Sequence, residues 1–110
     1  MKIRGKVVRG RGKGGKLGFP TVNIKLAEKI ESGVYAGRVS FDDKMYRAGI
    51  FISPNKGLVE AHLIGFSGNL CGKEVEVNIG NKIRDVMKFG NDEELKKQIK
   101  KDIKYICSQE

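Results

Sequence analysis

The chain has no tryptophan, a single histidine, two cysteines and two prolines. Each shortage closes a class of function. Cys71 and Cys107 match no metal-ligand spacing, and there is a single histidine. The two thiols are expected to be buried and reduced in a cytoplasmic protein. No run of 18 apolar residues exists, so no transmembrane helix is expected. The opening Met1-Lys2-Ile3-Arg4-Gly5-Lys6 lacks the apolar centre of a signal peptide. Aromatic residues make up only 7% of the chain, which leaves few platforms for stacking nucleic-acid bases. Acidic residues are also few, 13 against 22 lysines and arginines.

The resulting net charge of +9 is large for 110 residues and implies a polyanionic partner, either nucleic acid or a phosphorylated small molecule. The length and the 39% hydrophobic content suit one globular domain, residues 1–110, with one modest core. The basic residues concentrate in residues 2–16 and in a run of Lys96, Lys97, Lys100, Lys101 and Lys104. The second cluster reads as a solvated helix face.

Glycine is abundant where it is most costly to order. Gly10, Gly12, Gly14, Gly15 and Gly18 fall within nine residues, with Arg11, Lys13 and Lys16 between them. Backbone N–H groups without Cβ atoms around them can converge on a phosphate while the basic side chains add charge. The loop runs into Phe19-Pro20-Thr21-Val22-Asn23, where Thr21 and Asn23 supply the oxygen atoms Mg²⁺ prefers. In a strand these two side chains share a face. The spacing is not that of a Walker A loop, because Lys16 is followed by Leu17 rather than serine or threonine. A solvated linker or a nucleic-acid contact remains an open reading of the same loop.

The rest of the chain reads as strands. Residues 2–8 form the first, with Ile3 and Val7 on one face, and a short strand lies near 20–25. Residues 34–41 and 44–52 flank a turn at Asp42-Asp43. Residues 58–66 form another strand, and 73–79 alternate cleanly, Val75, Val77 and Ile79 against Glu74, Glu76 and Asn78. Residues 80–90 are irregular and basic. One helix follows over 91–107, capped by Asn91, with acids in its first turn and a stripe of Leu95, Ile99, Ile103 and Ile106. About six strands with short turns and a terminal helix predict an all-β fold. It is a small closed six-stranded antiparallel Greek-key barrel with the C-terminal helix packed across it.

Within the 58–66 strand, alternation puts Glu60 on one face with His62, Ile64 and Phe66, opposite Val59, Ala61 and Leu63. A carboxylate in an apolar strand is a candidate general base. His62 either supports that acid or is a structural histidine. Arg84 could clamp a phosphate through its planar fork, or lie on the surface.

Several segments together resemble the riboflavin kinase family of bacteria and eukaryotes. Gly18-Phe19-Pro20-Thr21-Val22-Asn23 is similar to its Gly-Phe-Pro-Thr-Ala-Asn signature, and Gly33-Val34-Tyr35-Ala36-Gly37 to its Gly-Val-Tyr-Ala-Gly segment. Val59-Glu60-Ala61-His62-Leu63, Phe66 to Lys73, Ile83-Arg84 with Lys88-Phe89, and Leu95 with Gln98-Ile99 and Asp102 follow in the family's order. The chain departs from the pattern at Gly14-Gly15-Lys16, at the short Ser53 to Gly57 connection, at Arg84-Asp85-Val86, and at Cys71 in place of a tyrosine.

The resemblance implies transfer of the γ-phosphate of ATP to the ribityl 5′-hydroxyl of riboflavin, giving FMN and ADP. Carried over, Glu60 is the catalytic base, and Thr21 and Asn23 hold Mg²⁺. Gly10, Gly12, Lys13, Gly14, Gly15, Lys16, Gly18 and Pro20 cover the nucleotide phosphates. Arg84 and Phe89, in a flap over residues 80–90, close over the flavin. A cytoplasmic monomer that makes FMN and stops, or a domain excised from a fused synthetase, is the implied context. Membrane is not an implied partner and nucleic acid is disfavoured. The alternatives are a basic barrel that binds nucleic acid and a silent homologue that binds flavin or nucleotide without turnover.

Overall fold

Strand formation follows the alternation of β-branched and aromatic residues, and the turns fall at Gly, Asp and Asn positions between the strands. The computed structural model describes residues 1–9, 18–26, 28–54 and 57–108. Within them lie β1 (Lys2–Val8), β2 (Val22–Lys25), β3 (Gly33–Phe41), β4 (Lys44–Ile52), β5 (Leu58–Leu63), β6 (Glu74–Arg84) and the helix α1 (Asp92–Ser108). All pairings are antiparallel, and the order β1-β2-β5-β4-β3-β6 closes on itself as a barrel. The six-stranded barrel with a terminal helix is therefore the fold the patterning anticipates. Closure leaves no strand edge exposed.

The inward positions of each strand build the core. Val7, Ile24, Val39, Ile50, Val59, Ala61, Val75 and Val77 belong to one buried cluster. Phe41, Tyr46 and Phe66 pack partly buried against that cluster, with ring centroids 5.2–5.7 Å apart. Two buried apolar residues, Val34 and Ile106, stand outside the cluster. Val34 lies on the outer wall and Ile106 on the face of α1 turned toward Gly49, and together they mark where the helix covers the barrel.

The β3–β4 hairpin turns on Asp42 and Asp43, both with positive φ (50° and 61°), so two aspartates adopt the left-handed geometry usually left to asparagine or glycine. Three expectations change. β6 continues through Arg84, so residues 80–84 are strand and only 85–91 is irregular. The cause is an irregularity against β3, with register shifts between Val34 and Tyr35 and between Tyr35 and Gly37. It resets the alternation that the sequence loses after Ile79. A Cβ on Gly80 would sit 2.7 Å from the Ala36 carbonyl oxygen, so glycine is what lets β6 pass there. β5 ends at Leu63, because the chain turns at Gly65 (φ 84°) and sends Phe66 back onto Phe41 and Tyr46. Cys71 and Cys107 are unpaired as expected but exposed rather than buried, one in a turn and the other on the solvent face of α1.

The helix starts on the anticipated cap. The Glu94 N–H donates to Asn91 Oδ1 at 2.9 Å, and Glu94 Oε2 accepts from the Gly90 N–H at 3.1 Å. Of its apolar stripe only Ile106 is buried, and Leu95, Ile99 and Ile103 are partly exposed. The stripe walls a cavity instead of sealing onto the barrel.

Candidate active site

Register brings the site together. Directly opposed residues of neighbouring strands share a face. Reading across the outer wall, Val8 opposes Asn23, Asn23 opposes Glu60, Glu60 opposes Phe51, Phe51 opposes Val34, and Val34 opposes Arg84. One lateral row thus carries the candidate metal ligand, the candidate base and the candidate flavin-side arginine. Glu60 and Arg84 stand three strand spacings apart, about 14 Å along the wall. His62 and Gly49 begin the next row.

Between this wall and α1 lies a cavity of about 650 Å³. Thr21, Phe51, Glu60 and His62 line it from the barrel, Met87 and Phe89 from the 85–91 segment, and Leu95, Ile99 and Ile103 from the helix. The helix end packs over Gly49, with Ile106 Cδ1 3.4 Å from where a Cβ would sit. An apolar cavity of this size with a few convergent polar groups is the ordinary form of a small-molecule site.

The polar groups differ in how they are held. Asn23 is 5% exposed, and its Oδ1 is buried without a hydrogen-bond partner among the described residues. A buried oxygen left open is costly unless something binds it, and an amide oxygen suits a hard cation. No cluster of three or more histidine, cysteine or acidic residues that could hold a metal occurs among the described residues. A metal here would take Asn23 Oδ1 as one protein oxygen and draw its other ligands from substrate phosphates and water, several of which Mg²⁺ usually keeps. Glu60 is half-buried at the cavity edge. His62 is engaged: its Nδ1 lies 2.8 Å from the Pro20 carbonyl oxygen and its ring meets Phe19 edge-on at 5.6 Å. A carbonyl can only accept, so Nδ1 carries the proton, and the ring fixes the entry into Thr21.

Arg84 differs from the expected phosphate clamp. Its Nε donates to Asp102 Oδ1 at 3.0 Å and its Nη2 to Oδ2 at 2.8 Å, while Gln98 Nε2 donates to the same Oδ1 at 3.0 Å. The Arg84 side chain is 18% exposed and that of Asp102 10%. The fork is filled by the helix. Asp102 was legible as an acid at helical spacing within the Ile99, Ile103 and Ile106 stripe, an arrangement that calls for a buried partner. Nearby, Lys82 Nζ reaches Asp85 Oδ1 at 2.6 Å and Glu31 Oε2 at 3.2 Å. The bond to Asp85 chiefly holds the Lys82 pKa above its ordinary value, and the same bond holds the Asp85 carboxyl below its own. This pair has no obvious sequence signal, because it depends on β6 running past residue 79.

Of the remaining expected residues, Phe89 lines the cavity, Gly18 takes a positive φ of 89°, and Pro20 serves through its carbonyl. Gly10, Gly12, Lys13, Gly14, Gly15 and Lys16 lie outside the described residues.

A family model described as Flavokinase, riboflavin kinase, matches residues 1–108. The chain belongs to the riboflavin kinase family. Among its relatives, the bifunctional riboflavin kinase/FMN adenylyltransferase of Buchnera aphidicola subsp. Schizaphis graminum is 37% identical over 96% of this chain and 38% of its own length. The RNA-binding riboflavin kinase RibR of Bacillus subtilis is 34% identical over 96% of this chain and 49% of its own. The crystal structure of riboflavin kinase from Trypanosoma brucei superposes with a TM-score of 0.72 at 27% identity, covering 97% of this chain and 77% of that one. The chain thus spans between a third and a half of the length of these two curated relatives. No helix among the described residues is long and apolar enough to cross a membrane.

Proposed function

We propose that the chain transfers the γ-phosphate of ATP to the ribityl 5′-hydroxyl of riboflavin, giving FMN and ADP. The observation that carries this reading is the juxtaposition of Asn23, with its open buried oxygen, and Glu60 at the edge of an apolar cavity. The flavin ring occupies the cavity between the barrel wall and α1, with Phe51, Phe89 and Ile99 as its apolar contacts. The ribityl chain then leads toward Glu60. Thr21 and Asn23 hold Mg²⁺, which when bound neutralises charge on the ATP phosphates. The Glu60 carboxylate accepts the proton of the 5′-hydroxyl as the new O–P bond forms and the bond to the ADP oxygen breaks. His62 keeps Pro20 and hence Thr21 in register with that carboxylate. The glycine-rich segment from Gly10 to Gly18 covers the nucleotide phosphates through its backbone N–H groups and Lys13 and Lys16.

The chain acts as a cytoplasmic monomer in this reading. Two unpaired thiols suit a reducing compartment, and a closed barrel offers no edge for pairing. A second reading, nucleic-acid binding, rests on the +9 charge and on the exposed lysines 96, 97, 100, 101 and 104 of α1. It ranks second because Phe41, Tyr46 and Phe66 are spent on one another, which leaves few rings for base stacking.

Incubation of the purified chain with riboflavin, ATP and Mg²⁺, with chromatographic separation of products, tests the proposal. FMN is expected and should vanish with EDTA. Glu60→Gln should lower kcat by about 10²–10⁴-fold, the range for a lost general base, with riboflavin still bound. No FMN with ATP, CTP or GTP would sink the reading. Salt-steep binding of single-stranded RNA, untouched by Glu60→Gln, would favour the second.

A further inference from the structure

We propose that Arg84, Asp102 and Gln98 form a strap that sets the height of α1 over the barrel wall, and through it the affinity of the cavity for riboflavin. The inference rests on the kinase reading for its substrate and on the geometry for everything else.

Arg84 ends β6 and stands on the same outer row as Glu60. From there its guanidinium reaches two elements at once. Nε and Nη2 grip both oxygens of Asp102, at the middle of α1, and Nη1 donates to the Asp85 carbonyl oxygen at 3.1 Å, at the first residue of the 85–91 segment. Gln98, one turn before Asp102, donates to the same carboxylate and holds it square to the fork. The C-terminal end of α1 has separate ties, Ile106 against Gly49 and Arg47 Nη1 to the Cys107 carbonyl oxygen at 3.0 Å. The strap therefore governs the part of the helix that carries Leu95 and Ile99 over the cavity.

A fork with fixed N–H directions sets angle as well as distance, which an ammonium group does not. Stability alone does not call for such a device, because a largely buried ion pair is often replaceable by apolar side chains at no cost. What a hydrophobic pair cannot do is hold a helix at a set distance from a wall with an open cavity between them. Asp102 is thus a positioning residue. It acts through Arg84 on the width of the slot and on the start of the segment bearing Met87 and Phe89.

The test uses the full chain and the variants Asp102→Asn, Arg84→Lys and the apolar double replacement Arg84→Met with Asp102→Leu. Asp102→Asn and the double variant should raise KM for riboflavin by about tenfold or more while kcat stays within about threefold and KM for ATP is unmoved. Arg84→Lys should fall between. Amide exchange in 85–91 should accelerate in Asp102→Asn and in the double variant. The double variant guards against a folding defect, since it leaves no charge unpaired. An unchanged riboflavin KM, or a loss confined to kcat, would overturn the proposal. If the parent chain makes no FMN, the kinase reading fails by itself. The exchange measurement then decides the strap: faster exchange in 85–91 supports it, and unaltered exchange in a folded variant removes it.

Discussion

Asn23 is a buried amide whose oxygen has no partner among the described residues, and leucine is close to it in volume. An unpartnered buried acceptor costs about 1–3 kcal/mol. Among the described residues nothing offsets that cost. Asn23→Leu is therefore expected to melt no lower than the parent chain, and a few degrees higher, while losing FMN formation. Added Mg²⁺ and ADP should raise the melting temperature of the parent and not of the variant. A variant that melts lower without ligands would show that the oxygen has a partner in the protein. His62 makes the opposite case. Its Nδ1 proton is committed to the Pro20 carbonyl, so its contribution is to hold the chain that delivers Thr21.

At the scale of elements, β3 and β6 meet where side chains have no room. A Cβ on Gly37 would lie 2.3 Å from Ile50 Cδ1 and 2.4 Å from the Asn78 carbonyl oxygen. The isoleucine methyl can turn away, but the β6 backbone cannot. Gly37→Ala should cost about 1–3 kcal/mol, the range for overpacking, measured by urea unfolding. A neutral result would mean that the crossing is looser than its distances say. The 85–91 segment is anchored differently, through Lys82 and Asp85. The Asp85 carboxyl sits below its ordinary pKa, so its share of stability is present above the unfolded value near 3.9 and is lost as pH falls through the lower folded value. Lys82 is raised, so its share is present below about 10.4 and is lost as pH rises through the raised folded value. Protection of amides 85–91 should accordingly be flat near neutrality and fade toward both extremes. Lys82→Met should remove that pH dependence. Because Asp85 is 87% exposed, salt should weaken the anchor as well.

For the whole molecule, the radius of gyration of 12.8 Å is close to the value of about 13 Å for a compact domain of this length. Every strand has two neighbours, so no strand can leave without breaking two ladders. Unfolding should be a single transition, with calorimetric and van't Hoff enthalpies equal at about 70–80 kcal/mol. Riboflavin with Mg²⁺ and ADP should move that transition upward as a unit. Two separate transitions would indicate that α1 and the barrel melt apart, and would place the strap below the stability of the core.

Much of this molecule was decided locally, and local decisions are written in sequence. Alternation placed Val59, Ala61 and Leu63 inside and left Glu60 and His62 outside, and Asn91 with Glu94 started the helix where capping chemistry puts it. Thr21, Asn23 and Glu60 were legible as candidates because neighbouring residue types and spacing carry that information. Tertiary structure decided what depends on pairing between distant segments. The register that puts Asn23 opposite Glu60, and the irregularity that carries β6 on to Arg84, are sums over many backbone hydrogen bonds that no single stretch encodes. The partner of Arg84 was of that kind as well. Its fork could have met a phosphate or a carboxylate, and only the packing of α1 against the wall brings Asp102 to within 2.8 Å of it.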